Sequence, residues 1–252
     1  MKQIIRVVLV GIVILLLAGC SGFYHSIPKD TVMVKKLKAK QEFNVKSDTV
    51  LSEEAIKTLS LNAIGKYYDH HLSMDNVEIE LKNIDYNQLK TLLSSAIKDL
   101  NLEQEEVDSY LLQLNKASSG LYFVKITNIF NEFDMYTVAI NPLNGEILGA
   151  AKKKIYTKLK INDSERMTED ELKQFAKQFI EKKEMITVPI DSSRIEKRSL
   201  EEMLSELHYV SEDRQVYWQM TINQNTQEVL DFSKDLMAVF EIAAGKDEYK
   251  ER

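Results

Sequence analysis

The sequence predicts an α+β fold of two helix-plus-antiparallel-sheet units, the first with an inserted helical pair. Three observations predict it. Two amphipathic segments open on the same kind of helix-capping signal, at Ser52 and Thr168. Strand-like runs joined by hairpin turns follow each of them. The two blocks also overlay: Ser52-Glu53-Glu54 lies over Thr168-Glu169-Asp170 at an offset of 116, and Tyr136 to Leu148 lies over Trp218 to Leu230 at an offset of 82. The 34-residue difference is close to the length of a helical pair at 86–116, so the first unit reads as the second with that pair inserted.

The first unit is expected over 48–162. Ser52 is a good N-cap, followed by acids that suit the positive end of the helix dipole. Ile56, Leu59, Ala63, Ile64 and Tyr67 then recur at helical spacing. Val77 to Leu81 alternates as a strand. Tyr86–Leu100 and Glu103–Lys116 form the inserted pair, with apolar faces of Leu89, Leu92, Leu93, Ala96, Ile97 and Leu100, and of Val107, Tyr110, Leu111 and Leu114. Leu121–Phe130 and Phe133–Asn141 are apolar and β-branched, with Asn131-Glu132 as the turn. Pro142-Leu143-Asn144-Gly145 has hairpin-turn chemistry and leads to a return strand at Glu146–Ala151. Lys152–Ile161 reads as extended.

The second unit is expected over 163–244. Thr168 and Glu171 form a capping box, and Leu172, Phe175, Ala176, Phe179 and Ile180 follow at helical spacing. Ser199 to Glu202 reads as a further capping box opening a short helix. Val216–Asn223 and Glu228–Phe232 read as a hairpin around Gln224–Gln227. Leu236–Ala243 reads as a last strand or helix, and 245–252 as a charged tail.

Ahead of these units lies a secretion signal. Lys2 and Arg6 precede an apolar run from Val7 to Leu17, too short for the roughly 20 residues of a spanning helix. Leu17-Ala18-Gly19-Cys20 matches the bacterial lipobox, in which the Cys thiol takes a diacylglyceryl group. Residues 1–19 are thus expected to be a signal peptide and Cys20 a lipidation site. Two acyl chains suffice for stable anchoring to a membrane lipid layer. Residues 20–47, with Lys29, Lys35, Lys36, Lys38, Lys40 and Lys46, form a basic tether that can lie over anionic headgroups.

Composition narrows the chemistry. Cys20 is the only cysteine, which leaves no thiol for a disulfide, metal or nucleophile. The net charge is −6, and loss of Lys2 and Arg6 makes the remaining chain two charges more acidic, against a general nucleic-acid role. His70-His71 point about 100° apart on a helix, and His25 and His208 have no acid at zinc-motif spacing, so no metal is expected. Ser95-Ala96-Ile97-Lys98 matches a Ser-x-x-Lys pattern without its companion motifs, and Ile97 belongs to an apolar face. No catalytic or cofactor-binding residues are assigned. Tyr122, Phe123, Phe130, Phe133 and Tyr136, and then Tyr209, Tyr217, Trp218 and Phe232, are core candidates; any left uncovered is a partner surface.

Tyr136-Thr137-Val138-Ala139-Ile140-Asn141-Pro142-Leu143-Asn144-Gly145-Glu146-Ile147-Leu148 resembles the terminal hairpin of a PepSY domain, in the hairpin 133–151 and again in 215–233. The resemblance implies a binding or inhibitory module without chemistry of its own. The expected function is therefore a non-catalytic lipoprotein on the extracytoplasmic face of a Gram-positive cell membrane. It would bind or regulate an envelope protein such as a peptidase or cell-wall hydrolase. The alternative is a carrier or sensor of small amphiphilic ligands such as lipids or peptides.

Overall fold

The structure is a computed structural model that describes residues 50–98, 100–153, 166–186, 189–201 and 204–248. Cys20, the signal peptide, His25, the tether and most of Lys152–Ile161 lie outside the described residues. Eight strands form one antiparallel sheet in the order β1-β2-β3-β4-β8-β7-β6-β5. They are β1 (Val77–Ile84), β2 (Leu121–Asn128), β3 (Asn131–Ile140), β4 (Ile147–Lys153), β5 (Ile195–Glu201), β6 (Leu204–Val210), β7 (Tyr217–Asn223) and β8 (Glu228–Lys234). Among the described residues five helices pack on the sheet: α1 (Glu53–Tyr68), α2 (Tyr86–Ile97), α3 (Gln104–Lys116), α4 (Glu169–Lys182) and α5 (Leu236–Glu248).

The strand order is palindromic. Each unit contributes four strands, and the last strand of each, β4 and β8, meet at the centre. The two units therefore share one continuous sheet. The seam is short: Gly149–Ser233, Ala150–Phe232 and Ala151–Asp231 pair across it. α2 and α3 sit between β1 and β2, which places the insertion after the first strand of its unit.

The two hairpins, 82 residues apart, share their local geometry. β3 is bulged against β4 at Ala139/Ile140, and β7 against β8 at Thr221/Ile222. Asn141 Oδ1 accepts from Leu143 N–H at 3.0 Å, and Asn223 Oδ1 accepts from Asn225 N–H at 2.9 Å. Gly145 (φ 72°) and Gln227 (φ 51°) take the same left-handed turn conformation. Tyr136 and Trp218 are both buried. The same local chemistry closes both hairpins although Asn-Gly becomes Thr-Gln.

The two sheet faces carry separate cores. On one, α1 and α4 bury Ile56, Ile64, Leu172 and Ile180 against Tyr136, Trp218, Met220 and Phe232. Ser52 and Thr168 cap these helices through their side-chain oxygens, as the sequence predicts. On the other face, α2, α3 and α5 bury Leu89, Leu93, Tyr110, Leu114 and Val239 against Leu121, Leu148 and Tyr217. Leu92 and Leu111 of the predicted apolar faces are exposed; the buried stripes are Leu89/Leu93 and Tyr110/Leu114, each at i,i+4 spacing. Gly120 (φ 79°) joins α3 to β2 so close to β1 that a Cβ would lie 2.3 Å from Ile84 O, which excludes any other residue there.

Two expectations change. Ser199 to Glu202 does not open a helix, because Ile195–Glu201 is strand β5, paired with β6. A local capping signal yields here to the pairing of a sheet edge. Leu236–Ala243, left open between strand and helix, is helical, and α5 continues through Glu248.

Candidate functional site

Three features of this fold can meet another molecule. The first is the β2–β3 hairpin tip. Asn128 Oδ1 accepts from Phe130 N–H at 3.0 Å, and Asn131 Oδ1 accepts from Phe133 N–H at 3.2 Å. Ile129 N–H donates to Asn76 O at 3.0 Å, which ties the tip to the 3₁₀ turn Met74–Asn76. The backbone is thus pinned by short-range bonds of the kind Asn favours in turns. The side chains it carries are bare: Phe130 is 78% exposed, Phe133 57%, Ile129 51% and Met74 44%. The predicted turn at Asn131-Glu132 falls two residues earlier, at Ile129-Phe130, because both asparagines bond to the tip backbone. Asp75, Glu78 and Glu132 are exposed around the tip, with Asp134 beside them on β3. Lys125, further along β2, is already paired with Glu80 at 2.6 Å.

The second feature is a cleft of ≈400 Å³ between α1 and α4, over the seam. Tyr68 places its hydroxyl 2.7 Å from Ala150 O and 3.1 Å from Leu230 O, sharing one proton between the two central strands. His70 lies beside it, with Nδ1 against the Tyr136 hydroxyl and Nε2 3.5 Å from Lys152 Nζ. The His70 ring is thus held between the Tyr136 hydroxyl and the Lys152 side chain. Burial pushes the Tyr136 hydroxyl up to about 12, with Asp134 adding to the rise. The Tyr67 hydroxyl is pushed up to about 12 as well, by burial and by Glu146. Lys183 bonds Asp69 Oδ1 at 3.1 Å and holds its carboxyl below the usual range.

The third feature is a groove of ≈600 Å³ on the opposite face of the seam, partly roofed by Met237 and Glu241 of α5. Its floor is Gly149 and Ala151 on one side and Asp231, Thr221 and Gln219 on the other. Burial raises the Asp231 carboxyl, bonds from Thr221 and Gln219 hold it down, and Glu206 raises it further. Glu241 is raised by burial, Asp231 and Glu206. Glu206 pairs with His208 Nε2; His208 is 3% exposed and its Nδ1 has no partner among the described residues.

The histidines read at first only for metal spacing thus occupy two different faces of the sheet. His70 joins Tyr136 and Lys152, His71 is exposed beyond the end of α1, and His208 is buried with Glu206. No group of three His, Asp or Glu side chains among the described residues is arranged to hold a metal ion. Ser95 and Lys98 are exposed on the outer side of α2 and just after it. No helix among the described residues is long and apolar enough to cross a membrane. Sequence inspection missed the groove carboxylates. Glu206 and His208 share one side of β6, a two-residue alternation that is itself the signal, while Asp231 and Glu241 are brought there by β8 and α5.

No family model matches the chain, and no curated protein is similar to it in sequence. Among solved structures, the Bacillus megaterium YpeB C-terminal domain is similar at a TM-score of 0.40 and 13% identity, over 75% of this chain. The chain spans 65% of the length of that domain.

Proposed function

We propose that the protein is a lipoprotein anchored through Cys20 outside the cytoplasmic membrane, and that it binds an envelope protein through the β2–β3 tip. The carrying observation is the pinned tip that presents Phe130 and Phe133 to solvent. Exposed aromatics on an ordered backbone are what interfaces use, because little ordering remains to be done on binding. The carboxylates around the tip favour a partner with a basic surface. They oppose insertion of the tip into anionic lipid. The lipobox supports the anchor, and the PepSY-like hairpin sequences support a binding or inhibitory role without catalysis. A peptidase or cell-wall hydrolase of the envelope fits this role.

Two variants test the two halves of the proposal. Cys20→Ala should move the folded protein out of the membrane fraction and abolish lipid labelling; unchanged fractionation and labelling would sink the anchor. The double variant Phe130→Ser/Phe133→Ser should keep the anchor and lose at least about tenfold of one discrete co-purifying envelope protein. Equal recovery of every co-purifying protein would rule out the tip as the docking surface.

A further inference from the structure

We propose a second binding site, independent of the tip, in a cavity of ≈400 Å³ between α3, α5 and the β5–β6 edge of the sheet. Its ligand is a small neutral molecule with a hydroxyl on an aromatic ring, and His208 Nδ1 accepts from that hydroxyl. The volume falls within the range of small-molecule sites.

A buried nitrogen selects the hydroxyl. His208 lines the cavity at 3% exposure, and its Nδ1 has no hydrogen-bond partner among the described residues. A buried polar atom left unbonded costs stability, so a molecule that bonds it is favoured. Nε2 is turned along β6 to Glu206. Nδ1 lies across the ring from Nε2 and so faces the Val210 end of the strand, where Val210 and its cross-strand partner Tyr217 line the cavity. An ionised Glu206 can only accept, which favours the ring proton on Nε2 and leaves the Nδ1 lone pair toward the cavity. The matching group on a ligand is a donor.

The walls select the body. The buried rings of Tyr110 and Tyr217 meet edge-on with centroids 5.8 Å apart, and Val210 and Ile242 complete an apolar lining. The Tyr217 hydroxyl lies 2.6 Å from Ser109 Oγ, so its ring is already held in place. Fixed aromatic faces take an aryl group with little further ordering. The charges around the cavity select no ion. Arg194 and Arg214 stand there with Glu106 and Glu196, two of each sign, and Arg214 Nη1 lies 3.5 Å from Glu106 Oε1. A charged ligand would meet its like as often as its opposite, which leaves a neutral one.

Titration of the full mature chain with phenol and with anisole tests the proposal, read by calorimetry and by the histidine ring ¹⁵N resonances. Phenol should bind saturably, in the millimolar range or tighter, and shift the His208 Nδ1 resonance. Anisole, which keeps the ring but has no O–H, should bind at least about tenfold more weakly. Glu196 is exposed on β5 directly across from His208 and lines the cavity, so Glu196→Trp should fold normally, checked by circular dichroism, and fill the space. Phenol binding should then fall at least about tenfold. Absence of saturable phenol binding to the unaltered chain would overturn the site. So would equal binding of anisole, a His208 Nδ1 resonance that phenol leaves in place, or phenol binding unchanged in the folded Glu196→Trp variant.

Discussion

Single residues decide how the buried polar chemistry behaves. Tyr67 on α1 and Tyr136 on β3 sit in the core, with hydroxyls pushed up to about 12 by burial. An unfolded tyrosine ionises near 10. Their contribution to stability is therefore complete below about pH 10 and is lost as the pH rises through about 12. Alkaline titration followed by tyrosinate absorbance and circular dichroism should show these two ionising only as the fold is lost. Ionisation of both near pH 10 with the far-ultraviolet signal intact would contradict the burial described here. Asp231 makes the complementary case. Its raised carboxyl means that ionisation of Asp231 opposes folding: the stability contributed by the neutral acid is complete below the unfolded carboxylate range and is lost as the pH rises through the raised folded value. Asp231→Asn should stabilise the protein by about 1 kcal/mol at pH 7 and by nearly nothing at about pH 4, in urea melts. A loss of stability at pH 7 would mean that the Thr221 and Gln219 bonds depend on the carboxylate.

At the scale of elements, the paired hairpins carry the clearest test. Gly145 and Gln227 occupy equivalent left-handed positions, yet only Gly145 packs tightly: a Cβ there would lie 2.9 Å from Leu59 Cδ1. Gly145→Ala should cost about 1–2 kcal/mol in thermal or urea unfolding. Gln227→Gly should change stability by less than about 0.5 kcal/mol, because relief of the positive φ is offset by the added freedom of the unfolded chain. Equal effects at both turns would contradict the different packing around them. The elements also show what sequence reveals. The caps at Ser52 and Thr168, the inserted helices and the hairpins at 133–151 and 215–233 were legible because each is fixed by contacts within a few residues. Strands β5 and β6 were not. Glu206 and His208 lie buried on one face of β6 while Ser205, Leu207 and Tyr209 are buried on the other, so the strand has no solvent face to mark it as amphipathic. The false helix start at Ser199 lost to pairing with Ser205, a partner that only the hairpin supplies.

At the scale of the molecule, two similar units joined through three residue pairs make one sheet with a cavity on each face of the seam. The two hairpins were legible in sequence, but the seam was not, since nothing local to Gly149-Ala150-Ala151 marks it as a partner of Asp231-Phe232-Ser233. The cleft and the groove were hidden for the same reason: they are lined by residues from both units. The aromatic tip was half legible. Phe130 and Phe133 were visible as aromatics, but only the sheet register shows that they lie beyond the core that buries Tyr136. We propose that this tip docks a protein. It is tested most directly by placing a photo-crosslinking phenylalanine analogue at position 130 in intact cells, with the same analogue at exposed Thr91 as the control. Docking through the tip should give one discrete protein adduct from position 130, absent from position 91 and weakened by Phe133→Ser. Adducts only to lipid or to a second copy of the chain, or a pattern identical to the control, would contradict it.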